Sequence, residues 1–279
     1  MSLALKTLVN GCENECVSSN DRGFQYGDGL FETFAIKNGL PLLWDLHLQR
    51  LQRGGELLKI SIPSPALLHE EANNLCRNME QGVLKLIITR GIAGRGYRFD
   101  FAEPKPTRVF YLWPFPTYPT EFVHAGVSVC ICQQRLSFNK GIAGIKHLNR
   151  LEQVLARNEW GEEYAEGLML DEQDHIIEGT TTNLFMVKDG VLLTPDLSQT
   201  GVAGVMREAV FVCAQEMGIA VHTQAITSRA LDSADEIFLT NSIIGIWPVK
   251  NINAKRYQIG AVTLAIQKYI IAKGLTCVY

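Results

Sequence analysis

Two apolar, β-rich runs, Asn183–Val187 and Val191–Leu193, are separated only by Lys188-Asp189-Gly190. A turn this short returns the second run antiparallel to the first, so the pair is a hairpin. Hairpin-joined strands mixed with helices do not build a simple βαβ repeat. Helical spacing is nevertheless plain elsewhere. Trp44, Leu48, Leu51 and Leu58 fall near one face, with Asp45 placed as a cap. A second helix follows Pro63-Ser64-Pro65 through Leu67, Leu68 and Leu75. Leu148, Leu151 and Leu155, with Val154 beside them, mark a third. Met206, Val210, Cys213 and Met217 trace a fourth, closed by Gly218, and Val262–Lys273 is a terminal helix ending at Gly274. Strands are expected at Leu30–Ile36, Val83–Thr89, Arg108–Trp113, Val127–Gln133, Gly167–Leu170 and Glu236–Thr240. The fold class is mixed α/β, of α+β character.

With 279 residues, one large or two medium domains are expected. Three prolines between Pro114 and Pro119 continue neither a helix nor a central strand. They divide the chain into an N-terminal α/β domain over 1–115, a linker over 116–122 and a larger C-terminal domain over 123–279. A hydrophobic share of 47%, a charged share of 20% and a net charge of −3 describe an ordinary globular protein. They give no electrostatic reason to expect nucleic acid or an anionic membrane as partner. No apolar stretch reaches the roughly 18 residues of a spanning helix. The start, Met1-Ser2-Leu3-Ala4-Leu5-Lys6, lacks the features of a signal peptide. The 7 cysteines are odd in number and mostly sit in apolar segments. They read as buried, reduced thiols, and Cys130-Ile131-Cys132 has the wrong spacing for a zinc or thioredoxin-type site. A cytoplasmic protein is expected.

Lys146 follows the small, flexible lead-in Gly141-Ile142-Ala143-Gly144-Ile145 and precedes the helical run, so it is read at the mouth of a helix. Glu178 ends a short apolar run before Thr180-Thr181-Thr182. Taken singly, they are a solvated lysine and a turn carboxylate. Taken together, they are what pyridoxal phosphate chemistry requires: an amine for the Schiff base and an acid that keeps the pyridine nitrogen protonated. Thr200-Gly201-Val202-Ala203-Gly204-Val205-Met206-Arg207 runs a glycine-rich loop into a helix, a plain loop or an anion site. Arg50 is placed to add a bidentate phosphate contact. Gly91-Ile92-Ala93-Gly94-Arg95-Gly96-Tyr97 tempts a dinucleotide reading, but Tyr97–Pro104 does not open a helix and the spacing is wrong. A mobile loop carrying Arg95 and Tyr97 to an anionic substrate is expected instead. The histidines, His47 and His147 included, lack metal-ligand spacing, and no Gly-x-Ser-x-Gly elbow exists.

These pieces resemble fold-type IV pyridoxal phosphate enzymes, the family of branched-chain aminotransferases, D-amino-acid aminotransferases and aminodeoxychorismate lyases. The resemblance runs from Asp21–Thr33 through Gly82–Lys85, Thr89–Gly91 and Gly94–Tyr97 to Asp235–Asn241 and Trp247–Val249. Ile145–Arg157 is most similar to the lyase branch. It implies a two-domain fold of the D-amino-acid aminotransferase type, with Lys146, in the C-terminal domain, as the Schiff-base lysine. It implies Glu178 as partner of the pyridine nitrogen, and Arg50, the backbone of Val205 and Met206, Asn241 and Ser242 as further cofactor contacts. Arg95, Tyr97 and Phe31 would face the substrate. The implied reaction is a carbon–oxygen lyase step, conversion of 4-amino-4-deoxychorismate to 4-aminobenzoate and pyruvate in folate biosynthesis. The alternative within the fold is a D-amino-acid or branched-chain aminotransferase. No metal is implied, and a homodimer is.

Overall fold

The computed structural model describes residues 3–13, 15–99 and 105–277, so part of the segment Tyr97–Pro104 lies outside the described residues. The chain forms two compact units. One comprises Met1–Pro116 and Ile145–Asn149, the other Thr117–Gly144 and Arg150–Tyr279. A short helix, Glu121–His124, already stands inside the stretch expected to be linker.

In the first unit, β1 (Lys6–Val9), β2 (Gly29–Lys37), β3 (Leu40–Pro41), β4 (Gln81–Thr89) and β5 (Arg108–Pro114) form an antiparallel sheet. Their order is β1-β5-β4-β2-β3. The accompanying helices are α1 (Arg22–Tyr26), α2 (Trp44–Leu58) and α3 (Pro65–Cys76). Alternation along β2 buries Leu30, Glu32, Phe34 and Ile36, while Phe31 and Thr33 on the other face stay half-buried. Helix α2 covers the buried face: Phe34 stacks on Trp44 at 5.0 Å and meets the His47 ring at 4.3 Å. Complete burial of Phe34 contributes about 1.5–3 kcal/mol. Gly54 permits the close approach, since a Cβ there would lie 2.8 Å from Leu30 Cδ2. Asp45 is not the cap of α2. That position is Leu43, in left-handed backbone (φ 55°), and Asp45 sits in the first turn, where it complements the helix dipole. Helix α3 begins as its sequence suggests, with Ser64 Oγ accepting from Leu67 N and Pro65 in the first turn.

In the second unit the helices are α4 (Glu121–His124), α5 (Leu151–Arg157), α6 (Val205–Glu216), α7 (Ser228–Asp232) and α8 (Ala261–Ala272). Its first strands are β6 (Val127–Leu136), β7 (Glu166–Asp171), β8 (His175–Gly179), β9 (Asn183–Lys188) and β10 (Val191–Pro195). Then come β11 (Val221–Gln224), β12 (Ile226–Thr227), β13 (Glu236–Asn241), β14 (Gly245–Ile252) and β15 (Lys255–Arg256). The sheet runs β11-β10-β9-β13-β14-β6-β7-β8-β12, with β15 paired to β14. Parallel pairs at β14–β6, β6–β7 and β10–β11 interrupt an otherwise antiparallel order. The expected hairpin is β9–β10, with Asp189 and Gly190 both at positive φ. Both faces of this sheet are buried. Leu168 and Leu170 of β7 enter one apolar cluster with Val129 and Trp247, and Met169 enters another with Cys132 and Trp160.

Two further expectations fail. The helix through Leu148, Leu151 and Leu155 is shorter and turned differently. It starts at Leu151, buries Ala156, and leaves Leu151, Val154 and Leu155 exposed. Buried thiols account for Cys76, Cys130, Cys132, Cys213 and Cys277, but Cys12 and Cys16 are exposed.

Candidate active site

Lys146 was expected in the C-terminal domain at a helix mouth. Instead its segment forms an extra edge beside β2. Phe31 N donates to Lys146 O at 2.9 Å, Leu148 N donates to Gly29 O at 3.0 Å, and His147 bridges Leu30. This pairing groups Ile145–Asn149 with the first unit. It also makes Lys146 and Phe31 cross-strand neighbours, and the Lys146 ammonium lies 4.4 Å from the Phe31 ring centroid.

Behind β2 stands a buried ionic group. Glu32 Oε1 accepts from Arg50 Nε at 2.8 Å, and Glu32 Oε2 accepts from Arg50 Nη2 and, at 2.6 Å, from His47 Nδ1. All three residues are buried. Burial opposes ionisation of Glu32, but the Arg50 charge and the hydrogen bonds from Arg50 and His47 outweigh it and hold the carboxyl at about 2. Burial pushes the His47 imidazole below its ordinary value against the raising effect of Glu32, and Arg50 and Lys146 add to the depression. His47 is therefore neutral, with its proton on Nδ1 facing the carboxylate. Arg50, expected to reach a phosphate, has its planar fork set by Glu32.

Arg95 and Tyr97 lie exposed on the loop after β4. Within it, the backbone at Gly96 and Tyr97 is hydrogen-bonded. Arg22 donates to Gly96 O at 2.8 Å and to Tyr97 O at 3.1 Å. Asp28 accepts from Arg22 Nε and Arg90 Nε, each at 2.8 Å. Burial opposes ionisation of Asp28, yet hydrogen bonds from Arg90 and Arg22 keep its carboxyl below the usual range.

In the second unit, Glu178 is a buried carboxylate on β8. Its Oε2 accepts from Val202 N at 2.9 Å and from Asn183 Nδ2 at 3.4 Å, and Asn183 Nδ2 also donates to Val202 O at 2.9 Å. The glycine-rich loop is thereby pinned to the strand that carries the acid. Gly204 caps α6, and a Cβ there would stand 1.9 Å from Asn183 Oδ1. The N–H groups of Val205 and Met206, both buried residues, have no acceptor among the described residues. Arg207 turns away, donating to Thr194 Oγ1 and Pro195 O. Asn241 shapes the turn after β13: its Oδ1 accepts from Ile243 N at 2.8 Å and Ile244 N at 2.9 Å. Ser242 follows it in that turn.

The structure thus brings Lys146 together with Phe31 in one unit, and Glu178 together with the 201–206 loop in the other. Glu178 and the 201–206 loop fit a phosphorylated pyridine cofactor: orphan N–H donors at a helix start suit a phosphate, and a buried hydrogen-bond acceptor suits a pyridinium N–H. Sequence reasoning missed Glu32, Asn183 and Asp28. For Glu32 a signal existed, because a charge at the buried phase of Leu30, Phe34 and Ile36 demands a partner. Asn183 carried no such signal.

A family model described as amino-transferase class IV matches residues 29–252. An aminodeoxychorismate lyase of Vibrio harveyi is 37% identical over 264 residues, covering 93% of this chain and 97% of the relative. The crystal structure of 4-amino-4-deoxychorismate lyase from Pseudomonas aeruginosa is 41% identical, with a TM-score of 0.93 over 96% of this chain and 99% of that one. A putative branched-chain-amino-acid aminotransferase of Methanocaldococcus jannaschii is 31% identical over 90% of this chain and 89% of its own length.

Proposed function

Because this chain belongs to the class IV amino-transferase family, we propose that it is a pyridoxal phosphate-dependent aminodeoxychorismate lyase. It would remove pyruvate from 4-amino-4-deoxychorismate and leave 4-aminobenzoate for folate biosynthesis. The observation that carries this is likeness to a lyase along almost the whole chain, at 37% in sequence and 41% in a solved structure.

When bound, pyridoxal phosphate supplies an electron sink next to the substrate nitrogen. Lys146 Nζ holds the cofactor covalently between turnovers. Released, the same amine takes the proton from the ring carbon bearing the substrate nitrogen, and returns a proton to the departing enol of pyruvate. Phe31 keeps that amine over its ring. Glu178 accepts the pyridinium N–H, and its bonds from Val202 and Asn183 fix its orientation. In this assignment Arg50, aimed by Glu32 and His47, and the N–H groups of Val205 and Met206 would take the phosphate, with Asn241 and Ser242 as further cofactor contacts. Arg95 and Tyr97 hold a substrate carboxylate.

The aminotransferase relative favours a second reading, transamination by the same lysine. Incubating the purified protein with aminodeoxychorismate and following 4-aminobenzoate separates the two. No product, together with keto-acid formation from D-alanine or a branched-chain amino acid with 2-oxoglutarate, would sink the lyase assignment.

The exposed apolar residues Leu151, Val154 and Leu155 support a homodimer, in which that face is covered. Seven free thiols support a cytoplasmic setting. Among the described residues no helix is long and apolar enough to cross a membrane.

A further inference from the structure

Lys85 is a cation that none of the chemistry above uses. It lies on β4, opposite Thr33 of β2 and Tyr111 of β5, neither of them an anion. Its side chain is half-buried, and among the described residues it makes no hydrogen bond or ion pair. The contact it does make is with Phe31, whose ring centroid lies 4.9 Å from Lys85 Nζ. That is the ring over which Lys146 stands at 4.4 Å. Two lysine ammonium groups therefore share one phenyl ring on one face of the sheet. Burial pulls the Lys85 ammonium below its ordinary value. A half-buried cation that has no anion partner among the described residues is unfavourable until an anion joins it.

We propose that Lys85 is a substrate-binding, specificity-determining residue that receives the ring carboxylate of the substrate. This rests on the lyase assignment and deepens it. Lys146 works at the carbon bearing the amine, and the ring carboxylate stands at the opposite end of the same six-membered ring. Both lysines contact the Phe31 ring, which places Lys85 beside the residue that carries the reacting amine. The 4-aminobenzoate product keeps the carboxylate, so the contact is present in the product complex as well.

The test measures equilibrium binding of 4-aminobenzoate and of its neutral analogue 4-aminobenzamide to the holoenzyme. The unsubstituted protein should prefer the carboxylate. Lys85→Met should weaken 4-aminobenzoate about tenfold or more, the size expected of a lost charge-assisted contact, and leave 4-aminobenzamide unchanged. Lys85→Arg should restore most of the preference. In turnover, Lys85→Met should raise KM for aminodeoxychorismate far more than it lowers kcat, with the visible absorbance of the attached cofactor retained. A Lys85→Met protein that still discriminates between the two ligands as the unsubstituted protein does would overturn the proposal. So would an unsubstituted protein without preference for the carboxylate. Failure of the unsubstituted enzyme to form 4-aminobenzoate at all would instead overturn the lyase assignment.

Discussion

Glu32 and His47 face each other at 2.6 Å inside the first unit, both fully enclosed, with the carboxylate shared by Arg50. Removing one member of such a group leaves a buried charge uncompensated. Glu32→Ala should therefore lose about 3–5 kcal/mol of stability in denaturant unfolding. Glu32→Gln, which keeps the volume, should fold and bind pyridoxal phosphate more weakly, because the Arg50 fork is no longer held. Unchanged cofactor affinity in the Gln variant would show that Glu32 does not aim Arg50.

The same pair sets a pH dependence. His47 is depressed in the folded state, so below its ordinary value of about 6.5 the unfolded chain takes up a proton that the folded chain refuses. Stability is thus present above pH 6.5 and is lost as pH falls below it, with a limiting slope of about 1.4 kcal/mol per pH unit. Glu32 acts in the same direction at lower pH, between the ordinary glutamate range and about 2. His47→Gln keeps a donor for Glu32 and cannot titrate. It should flatten the stability profile between pH 6.5 and 5, and an unchanged profile would refute the assignment.

Lys146→Ala should abolish the visible absorbance of attached cofactor and lower turnover by about 10³-fold or more. Retained turnover would mean that another amine does the work. Far-ultraviolet circular dichroism should be unaltered, since the hydrogen bond that Lys146 accepts from Phe31 is made by its backbone.

Gly204→Ala is a purely steric test. The backbone there (φ −65°, ψ 141°) suits alanine, but the new Cβ would stand 1.9 Å from Asn183 Oδ1. Asn183 cannot swing aside without giving up Val202 O and Glu178. A loss of about 1–3 kcal/mol and weaker cofactor binding are expected. A Tm and a cofactor Kd equal to those of the unsubstituted protein would contradict the packing.

The proposed homodimer predicts that the unsubstituted protein sediments as a dimer and that Leu151→Glu with Leu155→Glu sediments as a monomer. Both side chains are exposed on α5, so folding itself should be little affected. A doubly substituted protein that stays dimeric would remove this face from the interface.

Local chemistry made much of this molecule legible in the sequence. The Asp189-Gly190 turn specified the β9–β10 hairpin because few residues tolerate two successive positive φ values. Ser64-Pro65 started α3, and Met206, Val210 and Cys213 marked the buried side of α6, because capping and 3.6-residue spacing act within a few residues. Lys146 and Glu178 could be singled out for the same reason, by side-chain chemistry and immediate setting. The leucines after Lys146 misled, because spacing shows that a face is apolar and not what covers it. Only the tertiary structure decided that Lys146 is an edge partner of Phe31 rather than the start of a helix, since that pairing joins residues more than a hundred positions apart. It alone gave Glu32 its partners His47 and Arg50, and set Lys85 and Lys146 around one phenyl ring. Such partnerships are chosen by strand register and by the need to compensate buried charge, and neither is written in any local window of the chain.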